Sequence, residues 1–376
     1  MVLDRRHPPA LAASALALVL ASCAPKPVLV GATLGLSGPA SAIGVEGRNG
    51  IEQAISEING RGGIRGRPVE LIVENDGETV EGGRAAAAAL IDRGAVVLLG
   101  GMTSAAATGA REVANERRVV LLSPTAASPD FSGIDDYFFR IIGSSDQQGV
   151  VLAGEALRRG YRRASVVLDS ANLSYSKAVG SGFEAAFLSG GGTVVETRSI
   201  EKPLGFDFSA LADSLRRDRP DLVLCAGSSF DLASIAQALA SREFRIPLFG
   251  SMWARTPDIF GFGGRTLEGT VLTSGADAND PSPEVSRFRE AYSARYGEPP
   301  GFAALYGYEA ANVLAEAIRA VLDGGSRLDG PGIKAALLSL PSLPSLHGTL
   351  SFDRFGDTFR PYYLFEIRGE AFVRIP

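Results

Sequence analysis

Residues 95–104 read Ala95-Val96-Val97-Leu98-Leu99-Gly100-Gly101-Met102-Thr103-Ser104; the alanine-rich stretch Ala105 to Arg117 follows, and then Val119-Val120-Leu121-Leu122. An unbroken apolar run of this kind is a strand buried on both faces, because a half-exposed strand would alternate apolar and polar residues. The two glycines let the chain turn and approach closely, and Thr103 or Ser104 can cap the helix that follows. Strand, helix and strand at this spacing form a βαβ unit, whose crossover makes the two strands parallel.

The same rhythm extends in both directions. Upstream lie the strands Val28-Leu29-Val30 and Val69-Glu70-Leu71-Ile72-Val73, with helices expected over Val45 to Asn59 and Val80 to Arg93. Downstream, after Phe138-Phe139-Arg140-Ile141-Ile142-Gly143, the pattern restarts. Helices are expected at Gln147 to Arg159, Ser176 to Leu188, Ser209 to Arg217 and Leu232 to Ala240, with strands at Ala164 to Leu168, Thr193 to Thr197, Leu222 to Ala226 and Ile246 to Phe249. One sheet would need too many strands for a single domain, so the chain divides into two α/β domains, each with a parallel sheet. The tail adds helices near Glu284 to Tyr296, Ala304 to Leu322 and Gly332 to Leu338. A hairpin-like end is expected from Gly348 to Phe352 and Tyr362 to Ile367, with Gly356-Asp357 as its turn signal.

The 376 residues are 45% hydrophobic and 21% charged, which excludes a disordered chain. Net charge is −5 and no dense Lys/Arg stretch occurs, so nucleic acid is not an expected partner. Only two histidines and two cysteines are present, too little for a His-based catalytic machine or a zinc site. Gly-x-Ser-x-Gly, Walker-type and Cys-x-x-Cys motifs are absent. Gly60-Arg61-Gly62-Gly63-Ile64-Arg65-Gly66 follows a helix and precedes a strand, the wrong order for a dinucleotide site, and reads as a turn. No enzyme, metal or cofactor is expected.

Arg5 and Arg6 precede the apolar run Leu11 to Ala21, too short to span about 30 Å of hydrocarbon. This is a signal peptide, and Leu20-Ala21-Ser22-Cys23 resembles the lipobox of bacterial lipoproteins. That resemblance implies removal of residues 1–22, a diacylglycerol on Cys23, and 23–27 as a tether. Cys225 sits in the apolar run Leu222 to Ala226 as a buried thiol on a strand.

In open α/β sheets ligands gather at the carboxyl ends of strands. The loop Gly100 to Ser104 at a helix N-terminus attracts a carboxylate, and Ser123-Pro124-Thr125-Ala126-Ala127-Ser128-Pro129 would lie beside it. Taken singly, Ser104 is better read as a helix cap and the second loop as a turn.

Several motifs in order resemble the leucine/isoleucine/valine-binding proteins of bacterial ABC importers, which are type I periplasmic binding proteins. They are Val28 to Pro39, Asn59 to Gly66 with Pro68, Gly100 to Ser104, Ser123 to Ala126, and Asp207-Phe208-Ser209 before a helix. The resemblance implies two Rossmann-like lobes with parallel sheets, joined by three hinge crossings near Gly143, Ser274 and Gly348. The first lobe would comprise 28–143 and 275–347, the second 144–274 and 348–376. It also implies a ligand carboxylate held by Ser104 and by the loop Thr125, Ala126 and Ala127, an aromatic at Tyr175 that closes over the ligand, and Ile43 shaping its side-chain pocket.

Where many relatives place an acid for the ligand's ammonium, this chain has Gly250-Ser251-Met252-Trp253. The loop after Gly227 offers Ser228, while Asp231 is expected to begin a helix. Trp253 either packs against a ligand or fills the core. The expected function is an extracytoplasmic, lipid-anchored, monomeric solute-binding protein that delivers a branched-chain or other small amino acid to an ABC permease. A carboxylate or amide ligand without an ammonium, or a sensor of the same fold, are the alternatives; turnover of a bound ligand would mark a hydrolase.

Overall fold

The computed structural model describes residues 25–38, 41–201 and 205–376. The signal segment and Cys23 lie outside the described residues. The first sheet contains β1 (Val28–Leu34), β2 (Val69–Asn75), β3 (Val97–Gly100), β4 (Leu121–Ser123) and β5 (Phe138–Arg140). All its pairings are parallel, in the order β2-β1-β3-β4-β5. Its crossovers carry α1 (Ser41–Gly60), α2 (Val80–Asp92) and α3 (Ser104–Arg117). The central strand β3 is buried throughout, whereas the edge strand β2 exposes Glu70 and Asn75, as an unpaired edge requires.

After α4 (Asp146–Arg158) the second sheet is built from β6 (Arg163–Asp169), β7 (Thr193–Ile200), β8 (Leu222–Ala226), β9 (Leu248–Gly250) and β10 (Val271–Ser274). Between them run α5 (Leu173–Ser189), α6 (Phe208–Asp218), α7 (Ser229–Ala240) and the short α8 (Ile259–Gly263). The chain then returns to the first lobe as α9 (Pro283–Tyr296), α10 (Phe302–Asp323) and α11 (Gly330–Ser339). Tyr296 Oη donates to Asn49 O at 2.9 Å, and Tyr308 Oη donates to the Glu57 carboxylate at 2.7 Å, fixing this return onto α1.

The expected hairpin has different arms. β11 (Tyr363–Arg368) pairs with β12 (Ala371–Ile375) about a turn at Gly369, whose φ is 62°. β11 also pairs antiparallel with β10, so the second sheet runs β12-β11-β10-β9-β8-β6-β7. The segment 348–352 contributes only the isolated bridge Leu343↔Leu350. Its apolar side chains find cover in the first lobe instead: the Phe352 ring meets Phe139 edge-on at 5.1 Å.

Three passages connect the lobes. Residues 141–145 lead from β5 to α4, and 275–282 lead from β10 to α9. Downstream of Gly348 the chain still touches the first lobe: Arg140 N donates to Gly356 O at 3.1 Å, and the buried Arg140 guanidinium pairs with Asp357 at 2.7 Å. We therefore propose that the third passage is 358–362. Tyr362 Oη donates to Gly143 O at 2.7 Å, tying this passage to the first one.

Candidate functional site

The site begins at the exit of β3. Gly100 has φ +122°, and a Cβ there would stand 1.9 Å from Thr33 O, so only glycine fits. Gly101 N then donates to Thr33 O at 3.0 Å and to Thr33 Oγ1 at 2.8 Å, fixing the loop against β1. Thr103 is the cap of α3: its side chain accepts from Ala106 N at 3.2 Å. Ser104 is therefore not the cap. Its buried Oγ accepts from Ser128 N at 3.1 Å, while Thr125 Oγ1 donates to Met102 O at 2.6 Å. These bonds lace the two loops side by side at the N-terminus of α3, where backbone dipoles favour an anion.

The opposite wall comes from the second lobe. Tyr175, on α5, donates its hydroxyl proton to Gln148 Oε1 at 2.9 Å. The same oxygen accepts from Met252 N at 2.9 Å and from Thr273 Oγ1 at 3.1 Å. One buried glutamine thus joins α4, α5, β10 and the turn Met252–Ala254. Trp253 meets Tyr175 edge-on, with ring centroids 5.9 Å apart and planes at 87°. Burial pushes the Tyr175 hydroxyl up to about 12, so it keeps the proton it donates.

Between the walls lies a cleft lined by Ile43, Met102, Thr103, Ser104, Thr125 and Phe302 from the first lobe, and by Asn172, Tyr175, Met252 and Trp253 from the second. Asn172 Oδ1 accepts from Ala105 N at 3.1 Å, a hydrogen bond that crosses from one lobe to the other. Free space in the cleft is about 20 Å³, room for roughly one water. A larger solute enters only when the lobes part.

Six residues expected from sequence meet here: Ile43, Ser104, Thr125, Tyr175, Met252 and Trp253. Three do not line the cleft. Ala126 and Ala127 are fully buried behind Thr125, where Ala127 O accepts from Ser145 N at 2.7 Å at the first passage between lobes. Ser228 is the N-cap of α7 and forms a capping box with Asp231, which satisfies its hydroxyl within the helix end. Met102, Thr103, Asn172 and Phe302 carried no expected ligand role, Thr103 being named only as a possible helix cap. The first two lie inside the quoted loop, and Asn172 stands three residues before Tyr175. Phe302 arrives from α10, far along the chain, with no local signal.

None of the ten lining residues is an acid, a basic residue or a histidine. Glu46 lies one turn along α1 from Ile43, but its carboxyl packs on the backbone of Gly301, where a Cβ would stand 2.2 Å from Oε2. Its pKa is raised to about 8, first by burial and then by Asp258 and Glu298, with Arg255 opposing. His347 Nε2 lies 3.0 Å from Asp277 O and 3.2 Å from Asp277 N and serves as a structural clasp. Among the described residues no group of three or more His, Cys, Asp or Glu side chains could hold a metal ion. The arrangement can enclose and orient a small apolar anion, and it offers no nucleophile paired with a base.

The family model described as "Periplasmic binding protein" matches residues 27–371. The Leu/Ile/Val-binding protein BraC3 of Rhizobium johnstonii is 28% identical over 343 residues, covering 90% of this chain and 91% of that protein. In fold, the chain is similar to the branched-chain amino acid transporter substrate-binding protein LivJ of Streptococcus pneumoniae, solved with isoleucine. The TM-score is 0.85 at 21% identity, over 93% of this chain and 99% of that one. It is also similar to an ABC transporter solute-binding protein of R. palustris solved with benzoate, with TM-score 0.83, 22% identity, and 93% and 95% coverage. With two parallel-dominated lobes around a cleft lined by uncharged residues and a family match over nearly its whole length, the chain belongs to the periplasmic binding proteins, which bind solutes for transporters and are not enzymes.

Proposed function

We propose that this protein is the extracytoplasmic solute-binding component of an ABC importer, lipid-anchored through Cys23, and that it closes its lobes on one small apolar carboxylate. The observation that carries this reading is the facing of Ser104 and Thr125, beside the N-terminus of α3, by Tyr175 and Trp253 across the cleft. The carboxylate would accept from the Ser104 hydroxyl and from amides of the first turn of α3. Apolar side-chain contacts would come from Ile43, Met102 and Phe302. Closure is a population shift: the closed form is the one in which both walls touch the solute, so the solute stabilises it. A monomer presents that closed form to the permease.

The Leu/Ile/Val-binding relatives favour a branched-chain or other small apolar amino acid as ligand. A second reading, a carboxylate or amide without an ammonium, is favoured by the lack of any acidic lining residue. Calorimetric titration of leucine, isoleucine, valine and benzoate tests the site. Ser104→Ala is expected to weaken the best of them about tenfold, as loss of a hydrogen bond to a charged group would. Unchanged affinity would displace the carboxylate from Ser104.

A further inference from the structure

We propose that the indole N–H of Trp253 recognises an uncharged acceptor on the ligand's α-position, so that the cleft prefers 2-oxo acids to the corresponding amino acids. The proposal rests on the second reading above, a carboxylate without an ammonium, and narrows that reading. Trp253 forms part of the cleft wall and is 6% exposed, yet its Nε1 has no hydrogen-bond partner. Of the donors around it, the Tyr175 hydroxyl and Met252 N both bond Gln148 Oε1 and Thr125 Oγ1 bonds Met102 O, while Gln148 Nε2 and Ser251 Oγ are buried without a partner but belong to residues that do not line the cleft. A buried donor left unpaired disfavours the closed state, and an acceptor on the solute relieves that cost. An ammonium does the reverse. It has only protons to give, it would face an N–H, and no lining carboxylate stands ready for it. The carbonyl of a 2-oxo acid lies one bond from the carboxylate, so one small solute presents its anion to α3 and an acceptor beside it.

Three acids sharing one isobutyl skeleton separate the possibilities: leucine, 4-methyl-2-oxopentanoate and 4-methylpentanoate. Calorimetry on the full chain at pH 7 is expected to show the oxo acid binding at least tenfold tighter than leucine. Trp253→Phe should bring the oxo acid down to the level of 4-methylpentanoate while leaving 4-methylpentanoate within about twofold, since the apolar packing is largely kept. Because Trp253 is the only tryptophan, the ¹⁵N-labelled protein shows a single indole N–H resonance. That resonance should move downfield with the oxo acid and much less with 4-methylpentanoate. Leucine as the tightest ligand, equal losses for all three acids in Trp253→Phe, or an indole resonance indifferent to the oxo acid would each overturn the proposal. If Ser104→Ala binds the oxo acid normally and the indole resonance still shifts, the carboxylate assignment fails and the Trp253 role stands. If Ser104→Ala weakens all three acids and the resonance does not move, the Trp253 role alone fails. Binding of none of the three would end both.

Discussion

Glu46 shows how a single side chain can couple the fold to pH. Its carboxyl is buried, and its pKa is raised from 4.5 to about 8. Between those two values the native protein keeps a proton that the unfolded chain has lost, so stability falls as pH rises through that window. The slope is at most about 1.4 kcal/mol per pH unit, and the fall levels off above the folded pKa. Glu46→Gln keeps the shape and removes the ionisation. Urea midpoints at pH 5, 7 and 8.5 should decline more steeply in the natural chain than in the variant, with Glu46→Gln the more stable of the two at pH 8.5. Asp76, raised to about 6 by burial, titrates in both proteins and cancels from the comparison. Parallel pH profiles would show that Glu46 ionises freely in the fold. At this scale the loops after β3 and β4 pointed to Ser104 and Thr125, while Tyr175 came only from the resemblance to the Leu/Ile/Val-binding proteins; all three line the cleft. The sequence could not reveal Phe302 or Gln148: one reaches the cleft and the other braces its wall only through tertiary packing.

Helix packing depends on glycines where the elements come closest. A Cβ at Gly50 of α1 would stand 2.0 Å from Ala304 O of α10, whereas at Gly154 of α4 a Cβ meets nothing within 4 Å. Gly50→Ala should therefore destabilise the protein by roughly 1–3 kcal/mol or more by forcing the two helices apart. It should also weaken ligand binding, because α10 begins with the cleft residue Phe302. Gly154→Ala in an exposed helix interior should instead stabilise by about 0.5–1 kcal/mol. Thermal unfolding of both variants checks the pair; equal and small shifts would mean that α1 and α10 can separate without penalty. The elements themselves were largely legible: apolar runs such as Leu222 to Ala226 became β8 with the same limits. The tail was not, because Leu350 and Phe352 carry a strand-like pattern but are covered by Phe139 and Leu343 rather than by a partner strand. Period-two patterning says that one face is buried, not what buries it.

For the whole molecule the governing quantity is the balance between parted and closed lobes, and one bond bears on it directly. The hydrogen bond from Ala105 N to Asn172 Oδ1 joins the first turn of α3 to the residue that begins α5. Parting the lobes breaks it, so it weights the closed form whether or not solute is present. A neutral hydrogen bond contributes about 0.5–1.5 kcal/mol net, which corresponds to a shift of roughly two- to tenfold in that balance. Asn172→Ala should accordingly enlarge the radius of gyration of the unliganded protein in solution scattering. It should also weaken solute binding by the same two- to tenfold, while a saturating ligand restores the compact profile. The amide of Ala105 is also one of the donors that an anion at the start of α3 would use. Should Asn172→Ala bind its solute more tightly than the natural chain, Asn172 would be competing with the carboxylate for that amide instead of latching the lobes, and closure would have to be driven by the Tyr175 and Trp253 wall alone.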